Sequence, residues 1–124
     1  MWFIFPQVAG LGDSAMSKRY AIGTMFEADA FFGHADLGGR YRRLVDAVWV
    51  QAIERGTTIR GLFSSPDDSK LVSSLTLFAG VARRLDLRDR PELETFLTQA
   101  EEILQAAYAQ GLARCAITEQ FVAT

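Results

Sequence analysis

The sequence predicts an all-α fold: a compact, multihelical single domain with an irregular N-terminal segment. Apolar residues recur at helical spacing along most of the chain, and strand-like alternation of apolar and polar residues is almost absent. The chain has 124 residues, of which 49% are hydrophobic and 23% are charged. Because this composition and length suit one buried core, we expect a single domain over residues 1–124.

The first residues are unusually apolar for the start of a chain. Trp2, Phe3, Ile4 and Phe5 precede Pro6, and neither a basic stretch nor a small-residue cleavage site marks them as a signal peptide. A bare aromatic patch of this size favours association. We therefore expect that a second copy of the chain covers these residues, or that the natural protein begins upstream.

Helix-start signals follow this segment in order. Ser14 can cap a first short helix. Thr24 and Glu27 have the spacing of a capping box, which predicts a second short helix. Asp36 can cap a third helix, and Gly56 is expected to end it. The apolar positions of this third helix, which we expect to be buried, are Leu37, Tyr41, Leu44, Val45, Val48 and Ala52.

The middle of the chain carries the clearest helix start. A single helical turn is expected over Thr57–Phe63. Ser65 then has the position of a cap, Pro66 has the first helical position, and two aspartates follow at the positive end of the helix dipole. This pattern predicts a helix that extends to about Arg84.

The last third of the chain predicts the longest helix. It begins at Pro91 and ends at Gly111, and a further helical turn is expected over residues 116–122. The apolar stripe of the long helix, which we expect to face the core, comprises Leu93, Phe96, Leu97, Ala100, Ile103, Leu104, Ala107 and Tyr108.

Composition and residue counts exclude several functional classes. The single cysteine, Cys115, rules out an internal disulfide and a cysteine metal cluster, and the single histidine, His34, rules out a polyhistidine metal site. We therefore expect no metal and no cofactor. The net charge of −2 gives no basic surface for a nucleic acid. No apolar run approaches the length of about 18 residues that a membrane helix needs, so we expect a cytoplasmic protein without a membrane partner.

Polar side chains on the buried face of the middle helix suggest a binding site. At about 100° per residue, Asp67 and Ser74 fall within the apolar arc and Lys70 lies at its edge. The apolar residues that define the arc are Leu71, Leu75, Phe78, Val81 and Ala82. Ser69, Ser73 and Thr76 are expected to point outward. Two interpretations remain open: these polar groups line a cleft for a polar ligand, or they complete the helix start and pair with one another.

The loop after the N-terminal apolar block offers a second set of candidate ligand contacts. Gly10 and Gly12 form a turn before the Ser14 cap, and the backbone amides of such a turn can bind an anion. The Gln7 amide can contact a ligand or hold the backbone near Pro6. No arrangement of acids, His34 and Cys115 along the sequence has the spacing of a known catalytic motif.

Two blocks of sequence resemble the domain-of-unknown-function 1810 family, which is sometimes labelled calpastatin. The first block comprises residues 2–7 (WFIFPQ), 10–12 (GLG) and 20–22 (YAI); the second comprises residues 65–68 (SPDD) and 73–78 (SSLTLF). The resemblance covers residues 1–82, and residues 83–124 form a divergent C-terminal helical part. It implies a compact, mainly helical protein whose biochemical function is not established.

Two hypotheses of different classes follow. The first is a small polar-ligand site, of phosphate or nucleotide type, between the Phe5–Ser14 loop and the Asp67–Ser74 helix face. Its candidate contacts are Gln7, Gly10, Gly12, Ser14, Asp67, Lys70 and Ser74. The second hypothesis is a non-enzymatic interaction module that forms a homo-oligomer through its aromatic N-terminus.

Overall fold

The computed structural model describes residues 5–9 and 21–123, and these residues form six α-helices. The helices are α1 (Met25–Gly33), α2 (Ala35–Trp49), α3 (Ile59–Leu62), α4 (Asp67–Arg83), α5 (Pro91–Ala109) and α6 (Ala116–Ala123). A π-helical turn (Val50–Glu54) continues α2. The prediction of an all-α, multihelical fold is confirmed. The short helix predicted after Ser14 lies outside the described residues.

Helix α4 lies at the centre of the domain. It packs against α5, α6, α1 and α3, and most of its residues are buried. The expectation that Ser73 points outward is wrong, because α6 covers that side of the helix. Ser73 is 3% exposed, and its hydroxyl forms a hydrogen bond of 2.9 Å with the hydroxyl of Thr118. A helix enclosed on several sides carries small polar residues in its core only where they find such partners.

Aromatic rings from four helices fill the space beside α4. The ring of Phe78 on α4 lies 4.7 Å from that of Tyr41 and 5.8 Å from that of Phe32, measured between centroids. Phe96 on α5 lies 5.0 Å from Phe32. These four side chains are buried, so the aromatic cluster joins α1, α2, α4 and α5 into one core.

Two glycines end helical segments where the sequence predicts. Gly56 has a φ of 71° and Gly111 has a φ of 93°, both in the left-handed region that favours glycine. Gly56 follows the π-helical turn, and Gly111 follows the long helix α5. Both predicted helix ends are therefore confirmed.

The N-cap of helix α2 lies two residues before the predicted one. The expected cap is Asp36, but the N-cap is His34, whose Nδ1 accepts hydrogen bonds from the backbone N–H groups of Asp36 and Leu37, both at 3.1 Å. The expected burial of Leu37 is wrong too, since this first-turn residue is 44% exposed.

Removing this cap gives a first testable prediction. His34→Ala is expected to lower the free energy of unfolding by about 1 kcal/mol, because two N–H groups of the first turn lose their acceptor. His34→Asn is the matched control, since asparagine is also a good cap, and it should retain most of the stability. Equal losses for both variants in urea unfolding would show that Nδ1 does not act as a cap.

The start of α4 also differs in detail from its prediction. The expected cap Ser65 makes no capping hydrogen bond, because the carbonyl of Ser64 already accepts from the N–H groups of Asp67 at 2.8 Å and Asp68 at 3.3 Å. Asp67 was expected in the core, but it is half-buried, and Asp68 is the residue that is 3% exposed. The buried side of α4 is broader than the predicted apolar arc, since α3 packs on it and supplies Arg60 beside Asp68.

Candidate functional site

The segment of residues 5–9 is held against the domain by backbone hydrogen bonds to Ile22. The carbonyl of Gln7 accepts from the N–H of Ile22 at 2.7 Å, and the N–H of Ala9 donates to the carbonyl of Ile22 at 2.8 Å. Val8 and Ile22 thereby form an isolated parallel β-bridge, and both side chains are buried. These bonds fix the direction in which the side chains of the segment point.

Phe5 anchors the segment in the core. Its ring is fully buried and meets the rings of Phe63 and Tyr41 edge to face, at centroid distances of 5.6 Å and 6.5 Å. The expectation that another copy of the chain covers the N-terminal apolar residues is wrong for Phe5, because its own domain buries it. Trp2, Phe3 and Ile4 lie outside the described residues.

The side chain of Gln7 is buried without a partner for its amide nitrogen. Gln7 is 3% exposed, and among the described residues its Nε2 finds no hydrogen-bond acceptor. Gln7 lies between Pro6 and Val8, which are buried as well. A buried polar group left unsatisfied costs about 1–3 kcal/mol. Such a group requires an explanation in a native structure.

Ser74 faces Tyr41 inside the core. Their hydroxyl oxygens lie 2.9 Å apart, Ser74 is fully buried, and Tyr41 is 2% exposed. Burial raises the pKa of the Tyr41 phenol, an effect that the hydrogen bond to Ser74 partly offsets. The surroundings of Tyr41, which touches Phe5, therefore disfavour charge.

The pairing of Ser74 with Tyr41 gives a second testable prediction. Ser74→Ala is expected to lower the free energy of unfolding by about 1–3 kcal/mol, because it leaves the buried Tyr41 hydroxyl without a partner. Tyr41→Phe with Ser74→Ala removes both groups, so the double variant should be more stable than Ser74→Ala alone. The free energy of unfolding is measured in urea for the double variant and for each single variant. If the double variant loses as much as the two single variants together, the two hydroxyls do not interact.

The charged groups at the start of α4 neutralise one another. Lys70 Nζ lies 3.9 Å from Asp67 Oδ1, and Arg60 Nε lies 3.6 Å from Asp68 Oδ2. Asp68 Oδ1 also accepts from the N–H of Ser69 at 2.8 Å. Since the carbonyl of Ser64 satisfies the preceding amides, the first turn of α4 has protein partners rather than free donors for an anion.

The structure brings only some of the candidate residues together. It brings the segment of Gln7 to the aromatic contact of Phe5 and Tyr41, and Tyr41 in turn binds Ser74. Asp67 and Lys70 form a half-exposed pair nearer the start of α4. Gly10, Gly12 and Ser14 lie outside the described residues. Asp68 is a buried charged residue that the sequence analysis did not predict. Its place in the motif of residues 65–68 was the signal that could have identified it.

Open clefts on the described surface are lined by other residues. One, of about 900 Å³, lies where α4, α5 and α6 meet, and its lining includes Arg83, Glu101, Arg114 and Glu119. Its arginines are already paired: Arg83 with Glu101 at 3.2 Å, and Arg114 with Glu119 at 3.0 Å. Two smaller clefts, of about 210 Å³ and 420 Å³, lie along α2 and the start of α5.

The described residues contain no group of three or more histidine, cysteine, aspartate or glutamate side chains placed to hold a metal ion. Within the same residues, every helix is too short or too polar to cross a membrane.

Comparisons with known proteins agree on the family. The fold is similar to the crystal structure of a conserved hypothetical protein from Mycobacterium tuberculosis, with 30% sequence identity and a TM-score of 0.74; the match covers 99% of this chain and 76% of that one. No curated protein matches the chain. The family described as "Protein of unknown function (DUF1810)" matches residues 1–108, so the match continues past residue 82 into α5. The chain therefore belongs to the DUF1810 family.

Proposed function

We propose that this chain binds a small polar ligand, and that the Gln7 amide is one of the groups that contact it. The observation that carries the proposal is the buried Nε2 of Gln7, which finds no acceptor among the described residues. A ligand oxygen at this position would supply the missing acceptor. A residue that serves binding rather than folding can lower the stability of the free protein.

The neighbours of Gln7 support the same location. Phe5, two residues before Gln7, touches Tyr41, which forms a hydrogen bond with Ser74. The proposed site therefore lies between the segment of residues 5–9 and the face of α4 that carries Ser74. We retain Gly10, Gly12 and Ser14 as contacts because they directly follow this segment, and Asp67 and Lys70 as polar groups near its rim. The single cysteine supports our assignment of the protein to the cytoplasm.

Ligand access to Gln7 requires the segment to open. Nε2 is closed to solvent, and two backbone hydrogen bonds to Ile22 hold the segment in place. Isolated backbone hydrogen bonds of this kind open more readily than the hydrogen-bond ladders within helices. We therefore expect ligand binding to change the hydrogen exchange of the Ala9 and Ile22 amides, while amides in the middle of α4 remain unchanged.

The proposal is tested by thermal unfolding with a panel of nucleosides, nucleotides, neutral amides and inorganic phosphate. At least one ligand should raise the melting temperature of the natural protein, and Gln7→Met should lose that increase. Gln99→Met is the matched control, because Gln99 is also a buried glutamine but has a partner: its Nε2 donates to Asp46 at 2.6 Å. It should retain the increase. Ligand-induced increases that persist in Gln7→Met would place the binding elsewhere and contradict the proposal.

The alternative of a self-associating module has less support. Its basis was the apolar N-terminus and the long amphipathic helix near the C-terminus. Phe5 is buried within its own domain, and so are Phe96 and Ile103 on the apolar face of that helix, α5. Oligomerisation through this end therefore depends on residues outside the described part of the chain. Light scattering coupled to gel filtration tests this alternative, because a dimer would support it and a monomer would contradict it.

A further inference from the structure

We infer that the ligand group which reaches Gln7 is a neutral carbonyl oxygen carried on a flat, aromatic-type molecule, and not a phosphate or a carboxylate. This inference rests on the proposed function and names the ligand class of that same site. It follows from the charge, the burial and the aromatic side chains around the segment of residues 5–9.

The charged pairs at the start of α4 favour a neutral group. Arg60 on α3 and Lys70 on α4 are each paired with an aspartate. The amides of the first turn of α4 already have protein acceptors. Neither of these two cations is therefore left to match an anion at Gln7, and burying an anion without a matching positive charge is far more costly than burying a neutral carbonyl that accepts one hydrogen bond.

The burial of the residues around Gln7 also favours a neutral ligand group. Phe5, Pro6 and Val8 are buried beside Gln7 along the segment, and Tyr41 lies in an environment that holds its phenol neutral. In surroundings of low polarity a neutral hydrogen bond remains favourable, whereas an unpaired ion is strongly disfavoured. The primary amide of Gln7 presents two N–H donors, and a carbonyl oxygen is the simplest neutral acceptor for them.

The aromatic side chains indicate the shape of the molecule. Phe5 meets Phe63 and Tyr41 edge to face, at interplanar angles of 82° and 85°. Opening the segment would move the Phe5 ring away from these two rings. A flat ring that takes its place regains aromatic contacts of the same kind, which a compact ion such as phosphate cannot make.

The experiment compares two probes of the same shape and different charge, benzamide and benzoate, together with inorganic phosphate. Ligand-observed saturation-transfer NMR is recorded for the natural protein, for Gln7→Met and for the control Gln99→Met. Benzamide is expected to give a signal with the natural protein and with Gln99→Met. Its affinity should fall about tenfold in Gln7→Met, the order of change expected for the loss of one hydrogen bond. Benzoate and phosphate should give no signal that depends on Gln7.

The outcomes separate this inference from the proposed function. A signal from benzoate or phosphate that equals the benzamide signal and is lost in Gln7→Met would overturn the neutral-carbonyl inference and leave the Gln7 site in place. An unchanged benzamide affinity in Gln7→Met, or no benzamide signal from the natural protein, overturns the inference. The proposed function then fails only if the wider panel also shows no response that depends on Gln7.

Discussion

Phe78→Ala is expected to lower the free energy of unfolding by about 3–5 kcal/mol, the range observed when a buried phenylalanine is truncated. Phe78 is fully buried on the central helix α4. Its ring contacts those of Phe31 at 5.4 Å, Phe32 at 5.8 Å and Tyr41 at 4.7 Å. The substitution removes the ring that joins α4 to α1 and α2, and the surrounding rings cannot fill the cavity.

The matched control for Phe78→Ala is Phe26→Ala. Phe26 lies on α1 and is 83% exposed, so its truncation should change the free energy of unfolding by no more than about 0.5 kcal/mol. Both variants are measured by equilibrium unfolding in guanidinium chloride. Similar small losses for Phe78→Ala and Phe26→Ala would contradict the central position of α4 in the core.

Ile103→Ala is expected to lower the free energy of unfolding by about 2–5 kcal/mol, through lost apolar burial and the cavity left behind. Ile103 is fully buried on α5, the helix that packs most extensively against α4 and α2. Ile117→Ala on α6 removes the same atoms from a side chain that is 52% exposed, so its loss should be much smaller. A loss below about 1 kcal/mol for Ile103→Ala would mean that α5 does not pack on the domain.

The helices that the sequence predicts well are those whose apolar periodicity and end signals agree. Pro91 and Gly111 bracket α5, and most of its predicted stripe is buried, because one face of an amphipathic helix is determined by local spacing. Helix α4 is different. Its neighbours enclose it on several sides, so an arc drawn from its own apolar residues could not place Ser73 or Asp68 in the core.

The candidate site could be predicted only in part, because its contacts are distant in sequence. Gln7 and Ser74 stand out as polar residues within apolar surroundings. The hydrogen bond between Ser74 and Tyr41 joins residues 33 positions apart, so it depends on how α2 packs against the rest of the domain. The cap of α2 was missed for a local reason, since Asp36 is a commoner cap than His34 and the two lie close together. The unpartnered amide of Gln7 is visible only once burial is known.

The central claim is that the Gln7 amide is kept for a ligand at a cost in stability. Its most direct test is the free energy of unfolding of Gln7→Met without ligand, measured beside Gln99→Met. We predict that Gln7→Met raises the free energy of unfolding by about 1–3 kcal/mol, because a buried donor without an acceptor is removed. Gln99→Met should lower it, because the hydrogen bond to Asp46 is lost. A decrease for Gln7→Met as large as that for Gln99→Met would show that the Gln7 amide already has a structural partner, and would contradict the claim.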